Sequence, residues 1–114
     1  MDKVTDRYFT IQTSPVEPDS DGLPTCRIEL AGSFDIGARV ELRAALLAAA
    51  ETGARILVDL SRVRFIDSES LSALSAGYLA AERAGLSFRL TGAVGIVRRV
   101  ITVIGLDHLT DAPR

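Results

Sequence analysis

The chain has 114 residues, 47% of them hydrophobic, which is enough to build one core without disulfide or metal support, so a single domain over 1–114 is expected. A formal net charge of −2 offers no basic field for a phosphate backbone and sets direct nucleic-acid binding aside. No apolar run approaches the roughly eighteen residues a bilayer span needs, and no basic-then-apolar leader opens the sequence, so no membrane insertion and a cytoplasmic location are expected.

Residues 8–11, Tyr8-Phe9-Thr10-Ile11, read as a short first strand. Residues 15–24, with Glu17, Asp19, Asp21 and Gly22 between two prolines, read as an acidic surface turn, and residues 25–30 as the returning arm of a hairpin. In that arm Cys26 alternates with Ile28 and Leu30, which predicts a small inward core residue rather than a reactive thiol. Residues 36–51, rich in alanine and leucine and stopped by Gly53, predict the first helix. A second run, Arg55-Ile56-Leu57-Val58-Asp59-Leu60, predicts a strand.

The next segment, Phe65-Ile66-Asp67-Ser68-Glu69-Ser70-Leu71, places hydroxyls beside carboxylates where an apolar strand gives way to a helix over 68–84. Asp67 suits the N-cap and Ser68 the first turn. A hydroxyl there lies among unpaired backbone N–H groups at the positive end of the helix dipole, so a phosphate added to Ser68 meets donors without unfolding the domain. Along this helix Leu71, Leu74, Tyr78 and Ala81 share one face, while Ser68, Ser72, Ser75 and Leu79 share another that is small, polar and tipped by one leucine. The first face predicts core; the second is a surface a partner can approach closely, with Leu79 either its apolar anchor or a lone exposed apolar residue.

Residues 86–91 predict a further strand and 94–104 a third helix. That helix carries Val94, Val97, Ile101 and Ile104 on one side and Ile96, Val100 and Val103 on another, so cover by the sheet and by a neighbouring helix is expected; an uncovered side instead signals self-association or a partner. The whole order, an antiparallel N-terminal hairpin followed by βαβα, predicts an α/β fold: a small mixed β-sheet with packed helices and right-handed parallel crossovers.

Three catalytic or cofactor readings are weak. Ser68 with His108 as base lacks a Gly-x-Ser-x-Gly elbow, lone His108 lacks neighbours at zinc-ligand spacing, and Gly92-Ala93-Val94-Gly95 lacks the Lys-Ser/Thr of a phosphate-binding loop. No cofactor and no catalysis are expected. The twelve arginines among the thirteen cationic side chains are scattered and read as solvated.

Ala31-Gly32-Ser33-Phe34-Asp35 before the first helix, the strand ending Val58-Asp59-Leu60, then Phe65-Ile66-Asp67-Ser68, and Gly105-Leu106 closing the third helix, together resemble the STAS domain of bacterial anti-sigma-factor antagonists. The resemblance implies a STAS-like fold with Ser68 as phosphate acceptor, and an anti-sigma factor with a histidine-kinase-like ATP site as both kinase and partner. The resemblance covers about residues 5 to 110, the expected domain core, and further implies that antagonism and hence transcription control are lost when Ser68 carries phosphate and are restored by a serine phosphatase. Asp67 matches the family's preceding aspartate, and Ser33 and Asp35 occupy the loop that, by the resemblance, is expected to contribute to partner contact. Glu69 and Ser70 stand where a second hydroxyl residue and a glycine are typical, which adds negative charge beside the acceptor and a second hydroxyl at Ser70. The alternative within the same fold is a STAS scaffold or transporter accessory subunit without phospho-switching.

Overall fold

The computed structural model describes residues 8–35 and 37–110. Strands β1 (Phe9–Thr13), β2 (Glu17–Pro18), β3 (Pro24–Phe34), β4 (Arg55–Ile66) and β5 (Phe88–Thr91) form one mixed sheet, accompanied by helices α1 (Ala38–Ala50), α2 (Ser68–Arg83) and α3 (Gly95–Val103) and a 3-10 turn at Asp107–Leu109. Across the sheet the order is β1-β3-β4-β5; β1 and β2 run antiparallel to β3, and β3, β4 and β5 are parallel. This is the predicted hairpin followed by βαβα. The expected helix start at Ile36 and the expected first core residues, 5–7, lie outside the described residues.

Period-two alternation turns Cys26, Ile28 and Leu30 of β3, Ile56, Val58 and Leu60 of β4, and Phe88 and Leu90 of β5 into a core shared with Leu42 and Leu46 of α1 and Leu71, Leu74 and Ala81 of α2. Thr10, Gln12, Arg27 and Glu29 alternate outward and are exposed. Gly77 lets the two helices meet, because a Cβ there would lie 2.8 Å from the Cβ of Leu46. Since α1 and α2 each return antiparallel to a parallel strand pair, they run side by side with their N-termini at the same end of the sheet.

Strand β4 has twelve residues, twice the predicted run. Its pairing with β3 slips between Glu29 and Ala31, opposite Asp59 and Arg62, and again between Gly32 and Ser33, opposite Val63 and Phe65. Each slip inserts one extra residue into β4, so the buried positions change from Ile56, Val58 and Leu60 to Val63 and Ile66, three apart. The alternation that announces a strand disappears there although the strand continues, and Phe65 is turned outward to 46% exposure.

The acidic turn is more than solvated surface. Arg55 at the start of β4 donates to Asp21 Oδ2 (2.8 Å), Asp21 Oδ1 (2.9 Å) and Asp19 Oδ2 (3.2 Å), and Arg27 pairs with Asp19 at 2.7 Å. The Arg55 hydrogen bond holds the Asp21 carboxyl below its ordinary value. This network pins the turn to the end of the sheet opposite the start of α2.

Helix α3 corrects the expectation of cover on two sides. Val97 and Ile101 are buried, but Val94, Ile96, Val103 and Ile104 are exposed, Val103 to 78%.

Cys26 is buried with its Sγ 3.9 Å from the Ser14 carbonyl, and burial pushes the thiol's pKa up. Brief exposure of native protein to a maleimide is expected to label Cys26 little, and denaturation to make labelling nearly complete by mass spectrometry. Rapid labelling of the native protein contradicts an inward thiol.

Candidate functional site

Asp67 caps α2 in extended geometry, φ −90° and ψ 175°, and its Oδ1 accepts the Ser70 N–H at 2.8 Å. The chain arrives from β4 tied to the end of β3: the Asp67 N–H donates to the Phe34 carbonyl at 2.9 Å, and the Ser70 hydroxyl donates to the same oxygen at 3.3 Å. That oxygen thus clamps the strand end, the cap and the first turn of α2 together. The predicted cap and helix start are those observed.

The three hydroxyl and carboxylate residues of the first turn diverge as the helix rotates about 100° per residue. Ser68 and Glu69 are exposed, while Ser70 is completely buried at 0%. Among the described residues no side chain hydrogen-bonds the Ser68 hydroxyl, which leaves it open to solvent. Ser70 cannot serve as the second acceptor that its hydroxyl suggested, because a phosphate there would have to displace the Phe34 clamp and enter the core. Its role is to help close the strand-to-helix junction.

Down α2 the predicted faces separate as expected. Leu71, Leu74 and Ala81 are buried and Tyr78 half-buried, whereas Ser72 is exposed, Ser75 half-buried and Leu79 44% exposed. Leu79 lies roughly 16 Å beyond Ser68 along the axis at 1.5 Å per residue, so this face is a stripe and not a point. Ser33 and Asp35 are half-buried at the end of β3 beside the Phe34 carbonyl, at the same end of the sheet as Asp67, Ser68 and Glu69. The Ser33 N–H donates to the Tyr8 carbonyl at 2.8 Å, and the Asp35 carbonyl accepts the Ala38 N–H at 2.9 Å, which turns the chain into α1.

One functional candidate escaped the reading of the sequence. Arg39, in the first turn of α1, reaches across to α2 and pairs through Nε with Glu69 Oε1 at 3.0 Å. Arg43, one turn farther along α1, lines with Arg39 an open cleft of about 180 Å³ whose other wall is Ser72, Ala73 and Ala76 of α2. The signal was present in the βαβα order: parallel neighbouring helices place their first turns together, so the second residues of α1 and α2, an arginine and a glutamate, become neighbours.

The hydrolase-like arrangement is not assembled. His108 contacts the Gly105 carbonyl at 3.1 Å through Nδ1 and stacks edge-on against Tyr78, centroids 5.6 Å apart, about 15 Å along α2 from Ser68. Gly92 is explained by packing: it has φ +76°, and a Cβ would lie 2.8 Å from that of Ser61. Among the described residues no three His, Cys, Asp or Glu side chains are grouped as a metal site, and no helix is long and apolar enough to cross a membrane.

A family model described as "Mlab, STAS domain" matches residues 21–111. The anti-sigma factor antagonist SpoIIAA in its unphosphorylated form superposes with a TM-score of 0.75 at 23% identity, over 92% of this chain and 89% of its own. The phosphorylated form of the Bacillus cell fate determinant SpoIIAA gives 0.70 at 22% identity, over 92% of both chains. An anti-sigma factor antagonist from Mycobacterium paratuberculosis gives 0.74 at 22% identity, over 90% of this chain and 83% of its own. No curated protein shows significant sequence similarity to the chain.

Proposed function

The chain belongs to the STAS domain family, and from that premise we propose that it is a non-enzymatic anti-sigma-factor antagonist whose binding is switched off by phosphate on Ser68. The observation that carries this reading is an exposed hydroxyl in the first turn of α2, unpartnered among the described residues, behind an aspartate whose carboxylate is held by the cap. SpoIIAA, whose fold the chain shares, has been solved both without and with phosphate. In this reading the partner is an anti-sigma factor with a histidine-kinase-like ATP site, a serine phosphatase reverses its action, and the complex forms in the cytoplasm.

The contact surface is Ser33 and Asp35 at the end of β3, Asp67, Ser68 and Glu69 at the start of α2, and Ser72, Ser75 and Leu79 along its outer stripe. Small side chains let a partner approach the helix backbone, and Leu79 supplies buried area. A phosphoserine adds about −1.5 to −2 charge units, enough to oppose docking wherever the complement is acidic or must be desolvated. The exposed side of α3, from Val94 and Ile96 to Val103, is a second surface available for self-association.

Glu69 favours a second reading, a STAS scaffold or transporter accessory subunit that binds constitutively. It puts a carboxylate where the resemblance implies a hydroxyl residue.

The test begins with affinity capture from the native cell with and without ATP, which identifies a kinase-type anti-sigma factor, scaffold subunits or a transporter ATPase. Phosphopeptide mapping and calorimetric titration against the captured partner then follow. Ser68→Ala is expected to abolish ATP-dependent modification and retain binding, and Ser68→Asp to weaken binding about tenfold or more, the equivalent of roughly 1.4 kcal/mol. An unmodified Ser68 in the presence of ATP and the kinase-type partner overturns the phospho-switch and leaves the constitutive reading.

A further inference from the structure

We propose that Arg39 receives the phosphate on Ser68, exchanging its present partner Glu69 for the new dianion, so that modification rearranges the α1–α2 junction as well as adding charge. This rests on the reading of Ser68 as the acceptor and deepens it.

Three observations converge. Ser68 and Glu69 are consecutive residues in the first turn of α2, so a group that reaches the Glu69 carboxylate is within a side chain's swing of a phosphate borne by Ser68. The Arg39–Glu69 pair is exposed on both sides, 46% and 70%, so it is weakly held and readily exchanged. The open cleft lined by Arg39 and Arg43 borders Ser72, which lies one turn below Ser68 on the same stripe, so Arg39 stands on the side of α2 that carries the acceptor.

The exchange has a physical direction. The contact to Glu69 uses a single Nε–Oε1 hydrogen bond to a singly charged carboxylate, whereas a phosphate dianion offers three acceptor oxygens to the guanidinium fork and can be held by two parallel N–H···O bonds. The unpaired N–H groups of the first turn of α2 add their partial positive charge at the same place. After the exchange Glu69 is released, so a partner docking on this face meets a phosphate neutralised in part from below and a freed carboxylate beside it. The residue that departs from the family pattern is thereby part of the switch. Before modification it holds Arg39 at the acceptor, and afterward it contributes charge against the partner.

The experiment uses the full chain with phosphoserine installed at position 68 by directed incorporation during synthesis, so its outcome does not depend on a kinase. The second ionisation of the phosphate is followed by phosphorus NMR across pH in the wild-type sequence and in Arg39→Gln, Arg39→Lys and Arg43→Gln, with circular dichroism confirming the fold of each. The phosphate pKa is expected to lie roughly half to one unit lower with Arg39 than in Arg39→Gln, because a nearby guanidinium favours the dianion. Arg39→Lys should recover part of the shift, and raising the salt concentration should reduce it. The Arg39 Nε–H resonance should also move on phosphate ionisation.

Equal phosphate pKa values in wild type and Arg39→Gln overturn the proposal, and a shift that follows Arg43→Gln but not Arg39→Gln overturns the assignment to Arg39. The acceptor reading fails separately, when phosphopeptide mapping after incubation with the kinase-type partner and ATP finds Ser68 unmodified.

Discussion

Leu74→Ala is expected to lower the unfolding free energy by about 2 to 5 kcal/mol, whereas Leu79→Ala should leave it almost unchanged. The two leucines stand on one helix and differ in which way the helix turns them. Leu74 is completely buried within the shared core beneath the sheet's inner face, so truncation removes its apolar contacts and leaves a cavity that rigid neighbours fill only in part. Leu79 is 44% exposed on the stripe of Ser68, Ser72 and Ser75 and has far less to lose. Its effect should appear instead in calorimetric titration against the partner, as a weakening of about 1 kcal/mol or more. Urea denaturation of the two variants measures the first quantity. Equal destabilisation by both substitutions means that the contact stripe is on the wrong side of α2.

Gly32→Ala is expected to be at least as damaging, roughly 2 to 5 kcal/mol, from one added methyl group. Gly32 sits in β3 with φ +95°, where an L side chain is strained, and a Cβ built there would lie 2.1 Å from the Tyr8 carbonyl oxygen and 3.1 Å from the Phe9 Cα. Both neighbours are backbone, so no rotamer relieves the contact. The same Tyr8 oxygen accepts the Ser33 N–H, so moving it breaks a bond that joins the start of β1 to the loop beside the candidate site. Hydrogen exchange should therefore show protection lost first along β1 and at Ser33, with Leu90 of β5 and the interior of α2 affected only through global unfolding. A variant with wild-type stability and unchanged exchange at Ser33 contradicts this account of the β1–β3 edge.

Much of this architecture was legible in the residue pattern, because the physics that sets it is local. Helix α2 is announced by Asp67 ahead of a 3.6-residue apolar period, and cap and helix begin where that pattern places them. Cys26, Ile28 and Leu30 alternate, and all three are buried. The alternation of strand and helix runs dictated parallel pairing, and the outward stripe of Ser68, Ser72 and Leu79 followed from helical geometry alone.

What only the tertiary structure decided depends on how elements meet. The second half of β4 was invisible because two bulges, set by pairing with β3, convert a period of two into steps of three. Ser70 looked equivalent to Ser68 because both are hydroxyls in a first turn. Their difference comes from the Phe34 carbonyl delivered by a distant strand, which captures one and leaves the other in solvent. Arg39 was one scattered arginine among twelve until the parallel packing of α1 on α2, made close by Gly77 against Leu46, brought it to Glu69. The apolar sides of α3 were equally readable as core, and their separation into a buried edge at Val97 and Ile101 and an exposed one at Ile96 and Val103 arises because α3 rests on β4 with one side and turns the other to solvent. Local spacing determines which way a side chain points from its own element; only the packing of the elements determines what it meets there.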